Sequence, residues 1–246
     1  MSSVLIAEKL TRCFNNLCAV DHIDFAVQKG HCFGFLGPNG AGKTTTIKMI
    51  YGALTPTSGS ITLFGLPTMK NWREVKKRLG VVTQKDILEE TVSCWDNLRM
   101  QGRHYGFDEK FIRERGEYLL NLLQLSSRAN DPVYQFSGGM KRRLSIAKGL
   151  LNEPELLLLD EPTTGLDPQA RLLMWKTLED IKSKGTSILL TTHYMHEAET
   201  LCDDLVIIDH GKIIARGAPK LLIEKQGRKN LEEVFLELTG RDLRNE

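Results

Sequence analysis

Apolar and polar positions follow three different rhythms along this chain of 246 residues. In the first, Ile23-Asp24-Phe25-Ala26-Val27 alternates with a period near two, as a half-buried strand does, and Val4-Leu5-Ile6 and Ile61-Thr62-Leu63-Phe64-Gly65 read as short strands beside it. The second is the unbroken apolar run: Cys32–Leu36, Val81–Thr83, Leu156–Leu159 and Ser187–Thr192. Runs of this length suit parallel strands covered on both faces. Leu205–Ala215 reads as a hairpin folded at His210-Gly211.

The third rhythm is helical. It predicts helices over Thr46–Ile50, over Trp72–Leu79 with Gly80 as the stop, and after Pro168 through about Lys184, stopped by Gly185. Lys141–Leu151 carries Leu144, Ala147, Leu150 and Leu151 on one side. Leu231, Val234, Phe235 and Leu238 stand at i, i+3, i+4 and i+7 and predict an amphipathic helix over about 229–240, docked by default on its own domain. From Lys85 the composition shifts to helix formers, with Phe111, Ile112, Leu119, Leu122 and Leu123 at near-helical spacing and a turn at Asp131-Pro132. This stretch, about 85–140, reads as a helical subdomain inserted into one α/β domain spanning 1–246. Thr11–Asn16 and Leu54–Ser60 read as turns by their polar, Pro and Gly content.

Composition narrows the picture mainly by exclusion. Hydrophobic residues make up 41% and charged residues 26%, ordinary for a globular chain able to bury a core. A net charge of +2 gives no electrostatic case for nucleic acid or an anionic membrane surface. The five cysteines, Cys13, Cys18, Cys32, Cys94 and Cys202, form no C-x-x-C pair and are expected to be reduced thiols. No apolar run approaches the roughly 18–20 residues that span a bilayer, and Met1-Ser2-Ser3-Val4 has no signal-peptide character. The chain is therefore expected to be soluble.

The candidate chemistry sits where apolar runs end. Cys32–Leu36 leads into Gly37-Pro38-Asn39-Gly40-Ala41-Gly42-Lys43-Thr44-Thr45 and then a helix, which is G-x-x-x-x-G-K-[ST] in strand–loop–helix context. Glycines let successive N–H groups turn on a phosphate, and the helix start adds unpaired donors and a positive dipole end. Lys43 is placed for the β- and γ-phosphates and the Thr44 hydroxyl for Mg²⁺. Gln84 ends the Val81–Thr83 strand and points into the crevice that such strand ends form. Asp160 and Glu161 end the four-leucine strand, where carboxylates are costly unless they face a metal or a wet site. Asp160 then suits Mg²⁺ through water, and Glu161 the attacking water. His193 ends the Ser187–Thr192 strand. With His196, Glu197 and Glu199 it invites a zinc reading, but H-E-x-x-H is absent, and contact with the γ-phosphate is the better assignment. Ser137-Gly138-Gly139 opens a helix as a second anion-type terminus. The following Lys141-Arg142-Arg143 either touches phosphate or, more simply, is a solvated basic turn. Phe14 either stacks on an adenine or plugs a small core.

Taken in order, these motifs resemble the nucleotide-binding subunit of ATP-binding-cassette (ABC) transporters over essentially the whole chain. Gly37–Thr45 matches Walker A, Gln84 the Q-loop, and Phe136-Ser137-Gly138-Gly139-Met140 the signature LSGGQ, with Phe136 for Leu and Met140 for Gln. Leu156–Glu161 matches Walker B, Gly165-Leu166-Asp167-Pro168 the D-loop, and His193 the switch histidine. Phe14 falls at the family's adenine-stacking aromatic. The run Gly34–Met49, the Gly-Gly-Met signature and the ending Leu231–Gly240 are similar to the drug- and glycolipid-export (ABC-2 type) branch, whose membrane domain is usually a separate polypeptide.

The resemblance implies a P-loop NTPase (RecA-like) core with an N-terminal antiparallel β-subdomain. It implies ATP as substrate and Mg²⁺ held by Thr44, Gln84 and Asp160, with Glu161, His193 and Gln84 serving hydrolysis. It also implies a head-to-tail dimer in which Ser137, Gly138, Gly139 and Met140 of one subunit close the ATP site of the other. The remaining implied partner is an integral membrane permease at the cytoplasmic face; nucleic acid is not expected. A soluble ABC ATPase acting on protein or nucleic acid is the alternative. Such relatives usually carry two cassettes and a charged linker, neither of which this sequence has. A purely regulatory ATP-binding module fits poorly with intact Asp160, Glu161 and His193.

Overall fold

The computed structural model describes residues 2–240. Two sheets organise them. A four-stranded antiparallel sheet has the order β2-β1-β4-β5, with β1 Ser3–Phe14, β2 Leu17–Gln28, β4 Ser58–Leu63 and β5 Leu66–Pro67. A six-stranded sheet has the order β10-β9-β3-β8-β7-β6. In it β3 Cys32–Leu36, β6 Leu79–Val82, β7 Leu156–Asp160, β8 Ser187–Thr192 and β9 Asp204–Asp209 run parallel. The hairpin strand β10 Lys212–Gly217 closes one edge antiparallel.

The unbroken apolar runs are buried on both sides because adjacent residues enter different cores. Leu157, Leu159, Ile188, Leu190, Leu205 and Ile207 pack with the helical side. Leu156, Leu158, Leu189, Val206 and Ile208 pack toward the antiparallel sheet, together with Phe25, Phe33 and Phe35 and with Ile47, Met49 and Ile50 of α1 Lys43–Ile50. Period two still operates in these strands; both faces simply demand apolar side chains.

The segment expected to be helical carries α3 Cys94–Tyr105 and α4 Glu109–Leu122, then single 3₁₀ turns, and then α5 Gly138–Leu150, which crosses its outer bound. Ser93, Asp108 and Ser137 cap the three helices by accepting from Asp96, Phe111 and Met140 backbone N–H groups. α6 Pro168–Ser183 and α7 Met195–Leu201 cover the same face of the sheet, followed by α8 Pro219–Lys225 and α9 Leu231–Thr239. Leu231, Val234 and Phe235 of α9 are buried in the helical-side core, so this helix docks on its own domain.

Several local expectations give way to packing. Val4–Ile6 belongs to a twelve-residue strand, and Thr11–Phe14 extends that strand instead of turning. Thr11 is buried, and its hydroxyl accepts from His22 N–H at 3.1 Å. Ser58-Gly59-Ser60 likewise lies in β4. Helix α2 is Thr68–Lys77, with a break at Asn71, so Gly80 does not stop a helix and lies inside β6. Its glycine is required by the neighbour: a Cβ there would come within 2.2 Å of the Gly149 carbonyl oxygen of α5, and a Cβ at Gly149 within 2.9 Å of Val82. Helix α5 thus rests directly on β6. The expected reduced state of all five cysteines is also corrected. The β1–β2 register sets Cys13 directly across from Cys18, and the two are disulfide-bonded, while Cys32, Cys94 and Cys202 are buried free thiols.

Candidate functional site

The C-terminal ends of β3, β6, β7 and β8 lie side by side, and each delivers its polar residue to one spot. The β3–α1 loop reaches it with Gly42 in a left-handed conformation, φ 107°. Gly37 and Gly42 are also demanded by the fold, since added Cβ atoms would come within 2.2 Å of Ile208 O and 2.4 Å of Ala19 O. Asn39 and Gly40 remain exposed at the loop's crest, while Pro38 and Ala41 are buried. The Lys43 ammonium, 4% exposed, donates to the Gly37 and Pro38 carbonyls at 2.7 and 2.9 Å and stands 3.7 Å from Glu161 Oε1.

Asp160 and Glu161 are both buried, and they part company at the end of β7. Asp160 Oδ1 accepts from the Thr44 hydroxyl at 3.2 Å and from the Thr191 hydroxyl at 2.6 Å. Thr44, at the second position of α1, and Asp160 thus bring oxygen donors together, the chemistry a hard cation such as Mg²⁺ selects. Among the described residues no group of three or more His, Cys, Asp or Glu could hold a metal ion.

Glu161 adopts φ 49°, a left-handed turn that carries its carboxylate away from Asp160. Its N–H donates to the Thr191 hydroxyl at 3.0 Å. Oε2 accepts from Gln84 Nε2 at 3.2 Å and from the Thr164 hydroxyl at 3.1 Å, and Oε1 lies 3.4 Å from His193 Nδ1. Residues 43, 84, 164 and 193 therefore converge on one buried carboxylate. The His193 contact holds that carboxyl below the usual glutamate range against the opposing effect of burial, with Lys43 and Thr164 helping. A depressed folded-state value means the stabilisation is present above the unfolded-state value and is lost as pH falls through the folded one. The stability difference between the protein and a Glu161→Gln variant should thus stay level from about pH 8 to about pH 5 and shrink below about 4.3, the ordinary glutamate value. Urea unfolding across that range measures it; a difference that does not shrink in acid would contradict a depressed carboxyl at Glu161.

The remaining expected residues are placed apart. Ser137 and Gly138 lie exposed at the start of α5, where the Ser137 hydroxyl accepts from Met140 N–H at 3.3 Å. No hydrogen bond or ion pair among the described residues joins Ser137–Met140 to Gly37–Thr45. Asp167 is exposed and caps α6 by accepting from Ala170 N–H at 2.9 Å. Phe14 ends β1 with 41% exposure under the Arg12 guanidinium, 4.5 Å from its ring centroid, and plugs no core.

Sequence reasoning missed three parts of the arrangement. Thr191 and Thr164 sit against Asp160 and Glu161, and Thr191 shows the signal that marked Gln84, a polar residue at the end of an apolar strand. Glu197, fully buried, accepts from Thr163 Oγ1 at 2.7 Å and from Trp175 Nε1 at 3.1 Å, tying the segment after Glu161 to α6 and α7. Arg142 is 4% exposed, which corrects the solvated basic turn expected for Lys141-Arg142-Arg143.

Known proteins of similar sequence and fold share one description. The sequence profile of the ABC transporter family matches residues 20–164. Nod factor export ATP-binding protein I of Cupriavidus metallidurans is 46% identical over 235 residues, 96% of this chain and 78% of that protein. Its counterpart in Burkholderia pseudomallei is 46% identical over 93% of this chain and 75% of that protein. Among solved structures, an ATP-binding subunit of an ABC transporter superposes with TM-score 0.86 at 31% identity, covering 96% of this chain and all of that one. CbiO1 from Clostridium perfringens, part of the ABC transporter complex cbiONQ, gives 0.84 at 27% identity, covering 92% of each chain.

Proposed function

The chain belongs to the ABC transporter family as an ATP-binding subunit that hydrolyses ATP to drive transport, and we propose the following division of labour among its residues. The observation that carries it is the convergence of Lys43, Gln84, Thr164 and His193 on the Glu161 carboxylate beside Asp160 and Thr44. The Gly37–Thr45 loop binds the triphosphate through backbone N–H groups, the helix start and Lys43. Phe14 stacks on the base. Thr44 and Asp160, with Gln84, hold Mg²⁺, which when bound neutralises charge on the β- and γ-phosphates. Glu161, ionised at neutral pH, accepts a proton from the attacking water, and Gln84 and His193 orient that water and the γ-phosphate.

One chain covers a single side of the triphosphate. Other P-loop enzymes complete the site with an arginine finger. Here the exposed Ser137-Gly138-Gly139 terminus supplies the equivalent from a second copy, with Asp167 at the shared boundary, so that two ATP molecules are sandwiched head to tail. Closure on ATP and reopening after hydrolysis then do the mechanical work.

No helix among the described residues is long and apolar enough to cross a membrane, so the work passes to a membrane-spanning partner. A cavity of about 310 Å³ beside Gln84, lined by Tyr51, Thr83, Ile87, Tyr105 and Lys148, is the proposed seat for a cytoplasmic segment of that partner. Ile87 is 75% exposed there. The subunit sits peripherally at the cytoplasmic face and acts in export, as its Nod factor relatives are named for doing. Cargo choice rests with the partner.

In detergent extracts of the native cell, the chain should copurify with a polytopic membrane protein. Ile87→Glu should break that association and leave the isolated chain's phosphate release unchanged. Recovery of the wild-type chain without any such partner would favour the soluble-ATPase alternative.

A further inference from the structure

Arg142 occupies a place that no part of this reading uses. It projects from the second turn of α5, on the face that also carries Ser145 and Gly149, whose small size lets the helix lie against β6. All five of its N–H groups are engaged. Nε donates to Pro162 O at 3.0 Å, and one terminal nitrogen to Asp160 O at 2.8 Å and Glu161 O at 3.2 Å. The other terminal nitrogen donates to Thr83 O at 2.6 Å and Asp86 Oδ1 at 3.1 Å. Three successive carbonyls can face one guanidinium only because the chain reverses at Glu161, the residue with φ 49°. Gln84 is held from both sides, between Thr83 and Asp86.

A planar fork with five fixed donors suits this arrangement, and an ammonium would not reproduce it. The bonds go chiefly to backbone, so what they fix is the position of the segments bearing Glu161 and Gln84. The same helix begins with Ser137-Gly138-Gly139. We propose that Arg142 is a positioning residue for hydrolysis, a rigid tie that sets Glu161 and Gln84 according to where α5 stands. An event at the exposed Ser137 terminus is thereby transmitted within one chain to its own hydrolytic carboxylate. The inference rests on the assignment of Glu161 and Gln84 to hydrolysis.

Among the described residues the hydrogen bonds of Arg142 do not reach the loop Gly37–Thr45, and at Asp160 they go to the backbone carbonyl and not the carboxylate, so its loss should lower turnover more than binding. In Arg142→Gln, kcat should fall at least tenfold while ATP affinity, from equilibrium titration, and KM stay within about threefold of the wild type. Arg142→Lys, which keeps the charge and loses the fork, should recover part of kcat. Asp86→Asn, which removes the one carboxylate acceptor of Arg142 among the described residues, should give a smaller loss of kcat. Circular dichroism and thermal melts report the folded fraction to which rates are normalised. If Arg142→Gln does not fold, Arg142→Lys decides. Wild-type kcat in the deciding variant, or a fall in ATP affinity matching the fall in kcat, would overturn the proposal. Glu161→Gln measured in the same assay keeps the two readings apart: undiminished turnover there removes the assignment of Glu161 itself, whatever Arg142 does.

Discussion

Replacing Glu161 with Gln should leave ATP bound and slow its hydrolysis about a thousandfold, within the span of about 10²–10⁴ that general-base groups supply. The amide has nearly the carboxylate's volume, so the reversed turn at φ 49° and the backbone bonds to Thr191 and Arg142 have no reason to change. What changes is the chemistry of the side chain. An amide cannot take a proton from water at neutral pH, and only one of its two terminal atoms accepts a hydrogen bond. The residues proposed for binding, Lys43, Thr44 and Asp160, are untouched. Lys43 also loses a negative neighbour at 3.7 Å, which leaves its ammonium more available to phosphate, so affinity should be equal or tighter. Phosphate release under saturating ATP and a parallel binding titration test the two halves. Turnover within a few-fold of the wild type would take the proton-accepting role from Glu161.

The second large effect belongs to Lys43. Lys43→Ala should weaken ATP binding by roughly 10- to 150-fold, the range expected when charged hydrogen bonds worth about 1.5–3 kcal/mol are lost. The side chain is also part of the loop's own architecture, because its ammonium bridges the Gly37 and Pro38 carbonyls. Its removal therefore loosens the cradle as well as deleting a charge. A fluorescent ATP analogue titrated at fixed salt reads the loss, and an unchanged Kd would contradict a phosphate-binding role for this loop.

How much of this site could be read before folding depended on how far apart its parts lie in sequence. Gly37–Thr45 carries its information within nine consecutive residues. Gln84, Asp160, Glu161 and His193 are distant from one another, yet each announces itself locally as a polar residue ending an apolar strand, and a parallel sheet collects such ends in one place. Arg142 has no local mark. Its acceptors lie 18–20 residues ahead and 56–59 behind, and in its own neighbourhood it is one of three basic residues in a row. Gly80 misled for the same reason: a glycine after a helix reads as a stop, and only the approach of Gly149 reveals what excludes a side chain there. The Cys13–Cys18 bond depended on strand register across a tight hairpin, which composition does not encode.

The contact between Gly80 and Gly149 also has a mechanical meaning. A helix seated backbone to backbone on a strand, with 2.2 Å from a notional Cβ to the opposing oxygen, has no room to slide sideways or sink. Ser137, twelve residues from Gly149, stands at the tip of α5 about 18 Å away, with Arg142 roughly halfway between them. A swing of about 5° would carry the tip by about 1.6 Å and the guanidinium by about half as much, already a large fraction of the slack a hydrogen bond tolerates. Substituting alanine at Gly80 would place its Cβ within 2.2 Å of the Gly149 carbonyl oxygen and force α5 off the strand, carrying Arg142 with it.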